Sequence, residues 1–443
     1  MSRERVVIAG GGAAGFFAAI TCAEAMPSAE VILLEKGPQF LSKVRISGGG
    51  RCNVTHACFD ARELTTYYPR GAGALLGAFR QFQPSDTVQW FESRGVELKT
   101  EADGRMFPIT DSSQTIIDCL LEAARAAGVQ LRTHCGLERA ARTLNSQPST
   151  LNSALELSLT NGETLRCDRL MLATGGCRAP AAGQVAVSLG HTLEPPVPSL
   201  FTLHVDAPWL RELAGVSLES VEAVVPGQGL RERGPLLVTH WGVSGPAILR
   251  LSAWGARALH GLQYRFPLRL NWLPHLNDAN IARELQARRA AQPAKLVVNT
   301  PVAPLSARLW ERLVLAAGIA RETRWAALSR SAQHNLVQQL SRTELPVTGK
   351  TLNQDEFVTC GGVRLSEVDF RTMESRVCPG LYFGGELLDI DGITGGFNFQ
   401  AAWTTGWIAG QAMARGGNPK SEIRNKLQRD KPAKAGNNDA QSL

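Results

Sequence analysis

The first residues of the chain that could do chemistry form a glycine-rich turn, which spans residues 10–15 and reads GGGAAG, a GxGxxG pattern. In this pattern the first glycine allows a tight turn, the second lets the backbone approach a pyrophosphate, and the third lets helix and strand pack closely. The helix that follows would direct its unpaired N–H groups at the phosphates. Glu35, which stands 20 residues beyond Gly15, can accept hydrogen bonds from ribose hydroxyls. The predicted dinucleotide-binding residues of this region are Gly10, Gly12, Ala13, Ala14, Gly15, Glu35 and Lys36. The alternative is a turn that binds no ligand.

A second glycine-rich run spans residues 47–53, reads SGGGRCN and follows Lys43. Three consecutive glycines lose much backbone entropy on folding, so we expect them to let the backbone approach a bound ring or pyrophosphate. Lys43 and Arg51 would offset phosphate charge, and Asn53 would contact the cofactor. The predicted binding residues of this run are Lys43, Gly49, Gly50, Arg51, Cys52 and Asn53.

Two side chains are candidates for catalysis. Cys52 is a thiol in a glycine-rich, cationic setting, which would lower its pKa, and the alternative is a buried structural cysteine. His240 precedes a Gly-Pro turn at the end of a predicted strand. It could deliver a proton near neutral pH, and the alternative is a structural histidine. The sequence contains no HxxxH or HExxH pattern, so we predict no metal site.

Two further runs complete the candidate site. Residues 170–176 (LMLATGG) are typical of a strand that passes beneath bound FAD. Residues 381–386 (LYFGGE) read as a strand that leads to an acidic residue, and a glycine-rich helix start follows. Glu386 would accept a hydrogen bond from the ribityl chain, and N–H groups of the helix start would stabilise the negative charge that a flavin gains on reduction. The predicted FAD-binding residues are Thr174, Gly175, Gly385, Glu386, Gly395, Gly396, Phe397 and Asn398. Asp389 and Asp391 belong either to this site or to a solvated turn.

A parallel sheet flanked by helices is needed to position these residues. Apolar strands are predicted at residues 5–9 and 30–35, with a helix of small residues at 16–25 between them, which is a βαβ unit. Short strand patterns follow residue 195, and three helical patterns come after them. The fold class is therefore α/β, with a Rossmann-like FAD-binding domain that is interrupted by a β-rich layer carrying a helical subdomain. The predicted boundaries are 1–195 and 371–416 for the FAD-binding domain, 196–274 and 346–370 for the β-rich insert, 275–345 for the helical insert, and 417–443 for a basic, disordered tail. A hairpin loop is predicted at 145–152.

Three runs resemble one known family: SKVRISGGGRCNVTH, GPLLVTHWGVSGPAILRLS and the long run from TCGGVRLSEVDF to GGELLDIDGITGGFNFQAAWTTGWIAG. They are similar to the BaiN/RdsA family of NAD(P)/FAD-dependent oxidoreductases, the YhiN-like flavoproteins. The resemblance implies an FAD domain of the two-dinucleotide-binding-domain type with a β-barrel-like insert and a helical insert. It also implies FAD contacts at the first turn, Glu35, Arg51, Asn53, Glu386 and residues 395–398. The chain departs from the family at residues 177–184 (CRAPAAGQ), where relatives carry a longer Tyr-Pro and Gly-Ser-Thr-Gly-Asp-Gly segment, so we expect a different loop on the substrate side.

The resemblance also implies a chemistry. Hydride would pass from flavin N5 to an electron-poor C=C bond, as in enone reduction of steroid-like acids or conversion of uridine to dihydrouridine in 23S rRNA. NAD(P)H would be a transient donor, because the chain has no second GxGxxG. The net charge of +7 and the pI near 9.0 favour RNA as the partner. The alternatives are a reductase of a small enone-type metabolite and an FAD-containing RNA-binding or folate-linked RNA-modifying protein.

Composition sets the expected compartment. The nine cysteines are scattered and form no CxxC motif, which fits a reducing cytoplasm better than a disulfide framework. No apolar run approaches the 18 or so residues of a membrane span, so we expect no membrane partner. The oligomeric state is not indicated by the sequence.

Overall fold

The structure is a computed structural model that describes residues 3–142, 155–177, 180–351 and 358–415. The predicted loop at 145–152, part of the divergent segment after residue 177, and the predicted basic tail lie outside the described residues.

Three consecutive parts of the chain supply the elements. The first part contains β1 (Arg5–Ala9), α1 (Ala13–Ala25), β2 (Glu30–Leu34), α2 (Ser42–Gly50), β3 (Thr55–His56), α3 (Ala61–Thr65), α4 (Ala72–Phe79), α5 (Pro84–Glu92), β4 (Leu98–Thr100), β5 (Arg105–Pro108), α6 (Ser113–Ala126), β6 (Gln130–Arg132), β7 (Leu137–Arg142), β8 (Leu155–Leu159), β9 (Thr164–Cys167), β10 (Arg169–Leu172), α7 (Pro180–Ser188) and β11 (Leu193–Ser199). The second part contains β12 (Thr202–Val205), α8 (Pro208–Arg211), β13 (Ser217–Val225), β14 (Leu230–Val238), β15 (Gly242–Ser244), α9 (Pro246–Trp254), α10 (Ala256–Gly261), β16 (Phe266–Asn271), α11 (Asp278–Ala291), α12 (Ala307–Ala316), α13 (Arg330–Arg342) and β17 (Thr343–Thr351). The third part contains β18 (Val358–Val363), β19 (Val368–Asp369), β20 (Glu374–Ser375), β21 (Leu381–Phe383) and α14 (Phe397–Ala414).

A seven-stranded sheet joins the first and third parts in the order β19-β20-β21-β10-β1-β2-β6. Its five strands from β21 to β6 run parallel. Val6–Ala9 of β1 are all buried, because helices cover the sheet, and this explains the uninterrupted apolar run in the sequence. Helices α1 and α14 pack closely on each other: a Cβ at Gly406 would lie 2.4 Å from Ala14 O. The first and the last helix of the described residues are thereby held together.

The second part forms a closed barrel in the order β12-β15-β14-β13-β16-β17. Leu203, Val221, Val243 and Leu268 fill its interior, and alternate residues point outward. Helices α11 to α13 are inserted between β16 and β17. Their apolar stripe shares one core with the barrel, and in α12 this stripe consists of Leu309, Trp310, Leu313 and Val314. The predicted fold class, a Rossmann-like domain with barrel-like and helical inserts, is confirmed.

One predicted strand has a different partner. Residues 346–370 were predicted to return to the β-rich insert, but β17 already begins at Thr343 and closes the barrel. Strand β18 instead pairs antiparallel with β11 in a separate two-stranded sheet. Leu193 lies opposite Val363 at one end of this sheet, and Ser199 lies opposite Val358 at the other. This ribbon connects the sheet domain to the barrel, and such pairing across about 160 residues leaves no local trace in the sequence.

Candidate functional site

A cavity of about 670 Å³ lies at the carboxyl edge of the parallel strands, where open α/β sheets bind their ligands. Its sheet side includes the glycine-rich turns predicted from the sequence. Its opposite side includes residues of the barrel, its helix α9 and the adjoining segments, namely Leu200, Thr202, Ser244, Leu249, Thr351 and Val358. The cavity therefore has room for a cofactor on one side and access for a second molecule on the other.

The three glycines of the first turn differ in what requires them. Gly10 has φ +115°, and a Cβ there would lie 2.2 Å from Ala173 O. A Cβ at Gly15 would lie 1.9 Å from Gly10 O. At Gly12 the φ is −95°, and a Cβ would meet no described atom within 4 Å. Packing explains Gly10 and Gly15, whereas the space beside Gly12 belongs to the cavity, so this turn fits a pyrophosphate.

The carboxylate of Glu35 is held at the rim of this turn. Its Oε2 accepts from Gly11 N at 2.9 Å, and its Oε1 accepts from Gly37 N at 2.7 Å. A carboxylate has about four acceptor positions, so it keeps capacity for the two hydroxyls of a ribose. Lys36 does not line the cavity and instead packs its aliphatic stem against Gly136. Lys36 is therefore not brought to the candidate cofactor site.

The SGGG run ends α2 in a left-handed turn, with φ of +57°, +69° and +85° at Gly48, Gly49 and Gly50. Gly49 lines the cavity, and a Cβ there would meet no described atom within 4 Å, whereas Gly50 is not among the lining residues. Asn53 also lines the cavity. With the amide oriented so that both of its groups are satisfied, its oxygen accepts from Gly396 N at 2.9 Å and its nitrogen donates to Thr55 O at 3.0 Å. Asn53 thus ties this run to the start of α14.

Arg51 and Cys52 lie beside the cavity without lining it. Arg51 pairs with Glu101 at 2.7 Å and stacks 4.0 Å above the Phe107 ring, so it anchors the turn to the β4–β5 hairpin rather than offsetting phosphate charge. The side chain of Cys52 is fully buried, and burial raises its pKa to about 12. The expected lowering of this pKa is wrong, because no cation approaches the sulfur closely enough to outweigh desolvation. The structural interpretation of Cys52 is the one that fits.

His240 is exposed in the turn between β14 and β15 and does not line the cavity. Its position outside the cavity lining gives no support to proton delivery, and its exposure gives none to a structural role. The motif that contains His240 also contains Ser244, and Ser244 lines the cavity.

Lys43 and Glu386 meet on one wall of the cavity. Glu386 accepts from Lys43 Nζ at 2.5 Å and from Thr359 N at 2.9 Å. Thr174 and Gly175 line the cavity at the end of β10, and Gly385 lines it before Glu386. The two charged side chains thus neutralise each other across elements that are 343 residues apart in sequence.

Two helix N-termini open into the cavity. Helix α1 begins after Gly12 and α14 begins after Gly396, and neither N-cap residue supplies a capping side chain. A Cβ at Gly396 would lie 2.5 Å from Thr55 O, and Asn398 lines the cavity while bonding both backbone groups of Gly392 at 2.9 Å. Phe397 points away and stacks on His56 and Tyr67. Unpaired N–H groups at both helix starts fit an anionic ligand that spans the cavity.

Asp391, in the acidic turn before Gly395, has an ion-pair partner that the sequence did not indicate. Asp391 is fully buried, forms a two-pronged ion pair with Arg70, and accepts from Ser199 Oγ at 2.7 Å. Arg70 also donates to Ala253 O at 2.6 Å, in helix α9. Burial raises the pKa of Asp391, and Arg70 opposes that rise. The solvated-turn interpretation is therefore wrong for Asp391, which ties the sheet domain to the barrel.

Some site residues were not found from the sequence at all. Arg105 lines the cavity while pairing with Glu101 and Asp103, each at 2.8 Å. On the barrel side, Thr202 and Ser244 share a hydrogen bond of 3.0 Å. Isolated Thr, Ser and Arg residues in strands carry no pattern that would single them out. Within the described ranges, no cluster of His, Cys, Asp or Glu could hold a metal ion, and no helix is long and apolar enough to cross a membrane.

Comparison with known proteins places the chain among sequence relatives. It is 29% identical over 420 residues to a protein of Clostridium scindens named 3-dehydro-bile acid delta(4,6)-reductase, with 93% of this chain and 99% of that protein covered. It is 32% identical over 424 residues to an Escherichia coli protein named ribosomal RNA dihydrouridine synthase, with 93% and 98% covered. A protein of Haemophilus influenzae with that same name is 27% identical over 417 residues, with 92% and 98% covered.

The family assignment agrees with these relatives. Residues 4–412 match the family described as HI0933-like protein Rossmann domain, which is nearly the whole described chain. The resemblance to the BaiN/RdsA flavoproteins, drawn from three motifs, is confirmed by this match and by the relatives. The chain belongs to the HI0933-like Rossmann-domain family.

Proposed function

We propose that the chain binds FAD and reduces an electron-poor C=C bond conjugated to a carbonyl, with NAD(P)H as the electron donor. The observation that carries this proposal is the single cavity onto which Gly12, Gly49 and the starts of α1 and α14 all open. Bound FAD would supply hydride transfer, which no side chain of the cavity can perform. The barrel side of the same cavity would receive the molecule to be reduced.

The residues of the cavity have separable tasks in this scheme. The first turn and Glu35 would hold the adenosine and pyrophosphate, and Asn53 and the start of α14 would hold the ring end. Lys43 and Glu386 would fix the wall between the two ends. Arg105, whose guanidinium is held by Glu101 and Asp103, would orient the carbonyl of the second molecule, because its remaining N–H groups can only donate.

We favour a uridine of 23S rRNA as the substrate. The uracil C5–C6 bond is conjugated to a carbonyl, and two relatives carry the name ribosomal RNA dihydrouridine synthase. The base would have to be single-stranded or flipped to enter the cavity, because a stacked base cannot reach it. A small enone-type metabolite is the second candidate, favoured by the name of the Clostridium scindens relative.

Two measurements test the proposal in sequence. Purified protein should be yellow and should release FAD on denaturation, and colourless protein without FAD contradicts the proposal. Ribosomal RNA from a deletion strain should then lack one dihydrouridine by mass-spectrometric mapping. An unchanged dihydrouridine content, together with NADH- or NADPH-dependent reduction of a cyclic enone, would assign the enzyme to the small-molecule alternative.

A further inference from the structure

The helical subdomain, residues 275–342, carries nearly all of the chain's excess positive charge. It contains ten arginine and lysine residues against four carboxylates, a formal net charge of +6, whereas the whole chain has +7. The basic tail, residues 417–443, has six arginine and lysine residues against three carboxylates, so its formal net charge of +3 is the smaller of the two. The core of the helical subdomain is apolar and shared with the barrel, so the charges of this subdomain lie on its outer surface.

Three of these cations are brought together at one corner, which we call the basic corner and define as Arg289, Lys295 and Arg324. Trp325 N donates to Lys295 O at 3.0 Å, and residues 296 and 324 pair as an isolated β-bridge. Arg289, in the last turn of α11, donates to Ala326 O at 3.2 Å. The segments on which the three side chains stand are therefore neighbours.

The cations of the basic corner are not used in ion pairs. Among the residues that the structure describes, no carboxylate pairs with Arg289, Lys295 or Arg324. By contrast, Arg288, Arg321 and Arg342 of the same subdomain are paired with Glu284, Glu311 and Asp278. Lys295 and Arg324 are exposed. A cation near a helix C-terminus interacts favourably with the helix dipole, which explains an arginine at position 289. The same reason does not apply to Lys295 and Arg324, because neither of them lies on a helix.

We propose that the basic corner is a docking surface for the phosphate backbone of an RNA. Arginine and lysine clustered on one face are the electrostatic footprint of a nucleic-acid binder. Amphipathic binding to a membrane surface also uses exposed apolar side chains. The large apolar side chains that are exposed among the described residues, such as Phe59, Trp241 and Trp254, all lie outside this subdomain. That the substrate base is a uridine rests on the proposed function, whereas the docking of RNA at the basic corner does not depend on it.

The test compares two triple variants with the same change of charge. R289E/K295E/R324E reverses the basic corner, and R62E/R80E/R125E reverses three exposed arginines of the sheet domain. The probe is an in vitro transcribed large-subunit ribosomal RNA, and its Kd is measured by fluorescence anisotropy across a salt series. The basic-corner variant should bind about tenfold more weakly or worse, and the slope of log K against log salt should fall by about two, because about 0.7 is lost per phosphate contact. The control should bind like the wild type.

Several outcomes overturn the proposal. They are an unchanged slope in the basic-corner variant, an equal loss in both variants, or binding of the wild type to phosphatidylserine vesicles but not to RNA. If the basic-corner triple variant unfolds at a lower temperature than the wild type, the comparison is repeated with K295E/R324E. This double variant changes only two exposed side chains. Reduction of a cyclic enone is measured in parallel and should be equal in all variants. Colourless wild-type protein that releases no FAD would contradict the proposed reductase while leaving the RNA result decisive for the docking surface.

Discussion

Gly12 and Gly15 belong to one turn and yet are glycine for different reasons. A Cβ at Gly12 would enter the cavity, whereas a Cβ at Gly15 would collide with Gly10 O at 1.9 Å. We therefore expect Gly12→Val to abolish FAD retention while the apoprotein keeps its fold, with a loss of roughly 1 kcal/mol because valine is a poor N-cap. The measurements are FAD released per chain on denaturation and the unfolding free energy of the apoprotein.

Gly15→Val serves as the contrasting variant. It should lose FAD and also lower the stability of the apoprotein well beyond the Gly12 variant, because helix α1 cannot stay packed on the sheet. Stoichiometric FAD in Gly12→Val would contradict a pyrophosphate at this turn. Equal destabilisation by both variants would contradict the division of roles between the two glycines.

Cys52 lies in a glycine-rich, cationic sequence, but its burial in the structure determines its pKa. Burial raises its pKa to about 12, so the thiol stays protonated at pH 8. We expect Cys52→Ala to keep enone reduction within about twofold of the wild type, at a cost of about 1 kcal/mol in stability. All nine cysteines are buried, so native protein at pH 8 should react slowly with a disulfide reagent such as DTNB, and unfolded protein should react fast. A rapid burst of one thiol in native protein that is absent from Cys52→Ala would restore the catalytic interpretation.

At the scale of elements, the sequence indicated well those features that depend on neighbours in the chain. Strand β1 was predicted at its observed bounds, β2 within one residue and α1 within three residues of its observed start, because apolar periodicity is a local property. Helix α2 was not predicted, since its SGGG end reads as a loop. The pairing of β11 with β18 and the partner of Asp391 depend on residues far apart in sequence, so no single segment could have indicated them.

The Arg70–Asp391 ion pair connects two elements of the sheet domain with the barrel. Arg70→Leu leaves a buried carboxylate without its partner, which we expect to cost about 3–5 kcal/mol in unfolding free energy at neutral pH. Chemical denaturation of the apoprotein measures this cost. Arg94→Leu provides a matched control, because its partner Glu24 lies on the surface, and this substitution should cost about 1 kcal/mol or less.

The pH dependence of the Arg70 variant has a definite sign. Burial already raises the pKa of Asp391, and removal of Arg70 takes away the main opposing influence, so the pKa rises further in the variant. A group whose pKa is higher in the folded than in the unfolded state loses stability as pH rises through the folded value. The difference in stability between wild type and Arg70→Leu should therefore be largest near pH 7 and shrink as the pH is lowered. A difference that is constant from pH 7 to pH 5 would contradict this assignment.

At the scale of the whole molecule, the sheet domain and the barrel both line the cavity, but only the contribution of the sheet domain could be predicted well from the sequence. Its sheet side was predicted largely from glycine patterns, because a pyrophosphate site places strong demands on the backbone. Its barrel side consists of outward-facing strand residues such as Thr202, Ser244 and Thr351, whose importance comes from the placement of the barrel alone. The division suggests that cofactor binding and substrate binding can be altered separately.

Thr202→Trp tests this separation. Thr202 points outward from β12, lines the cavity and bonds Ser244 Oγ at 3.0 Å, so an indole there would fill the barrel side without entering the barrel core. We expect the variant to retain stoichiometric FAD that dithionite still reduces, while the kcat/KM for enone reduction falls at least about tenfold. Ser217→Trp, on the exposed face of β13 and outside the cavity lining, should leave both quantities unchanged. Loss of FAD from the Thr202 variant would mean that the cofactor extends to the barrel, and unchanged kcat/KM would place the substrate elsewhere.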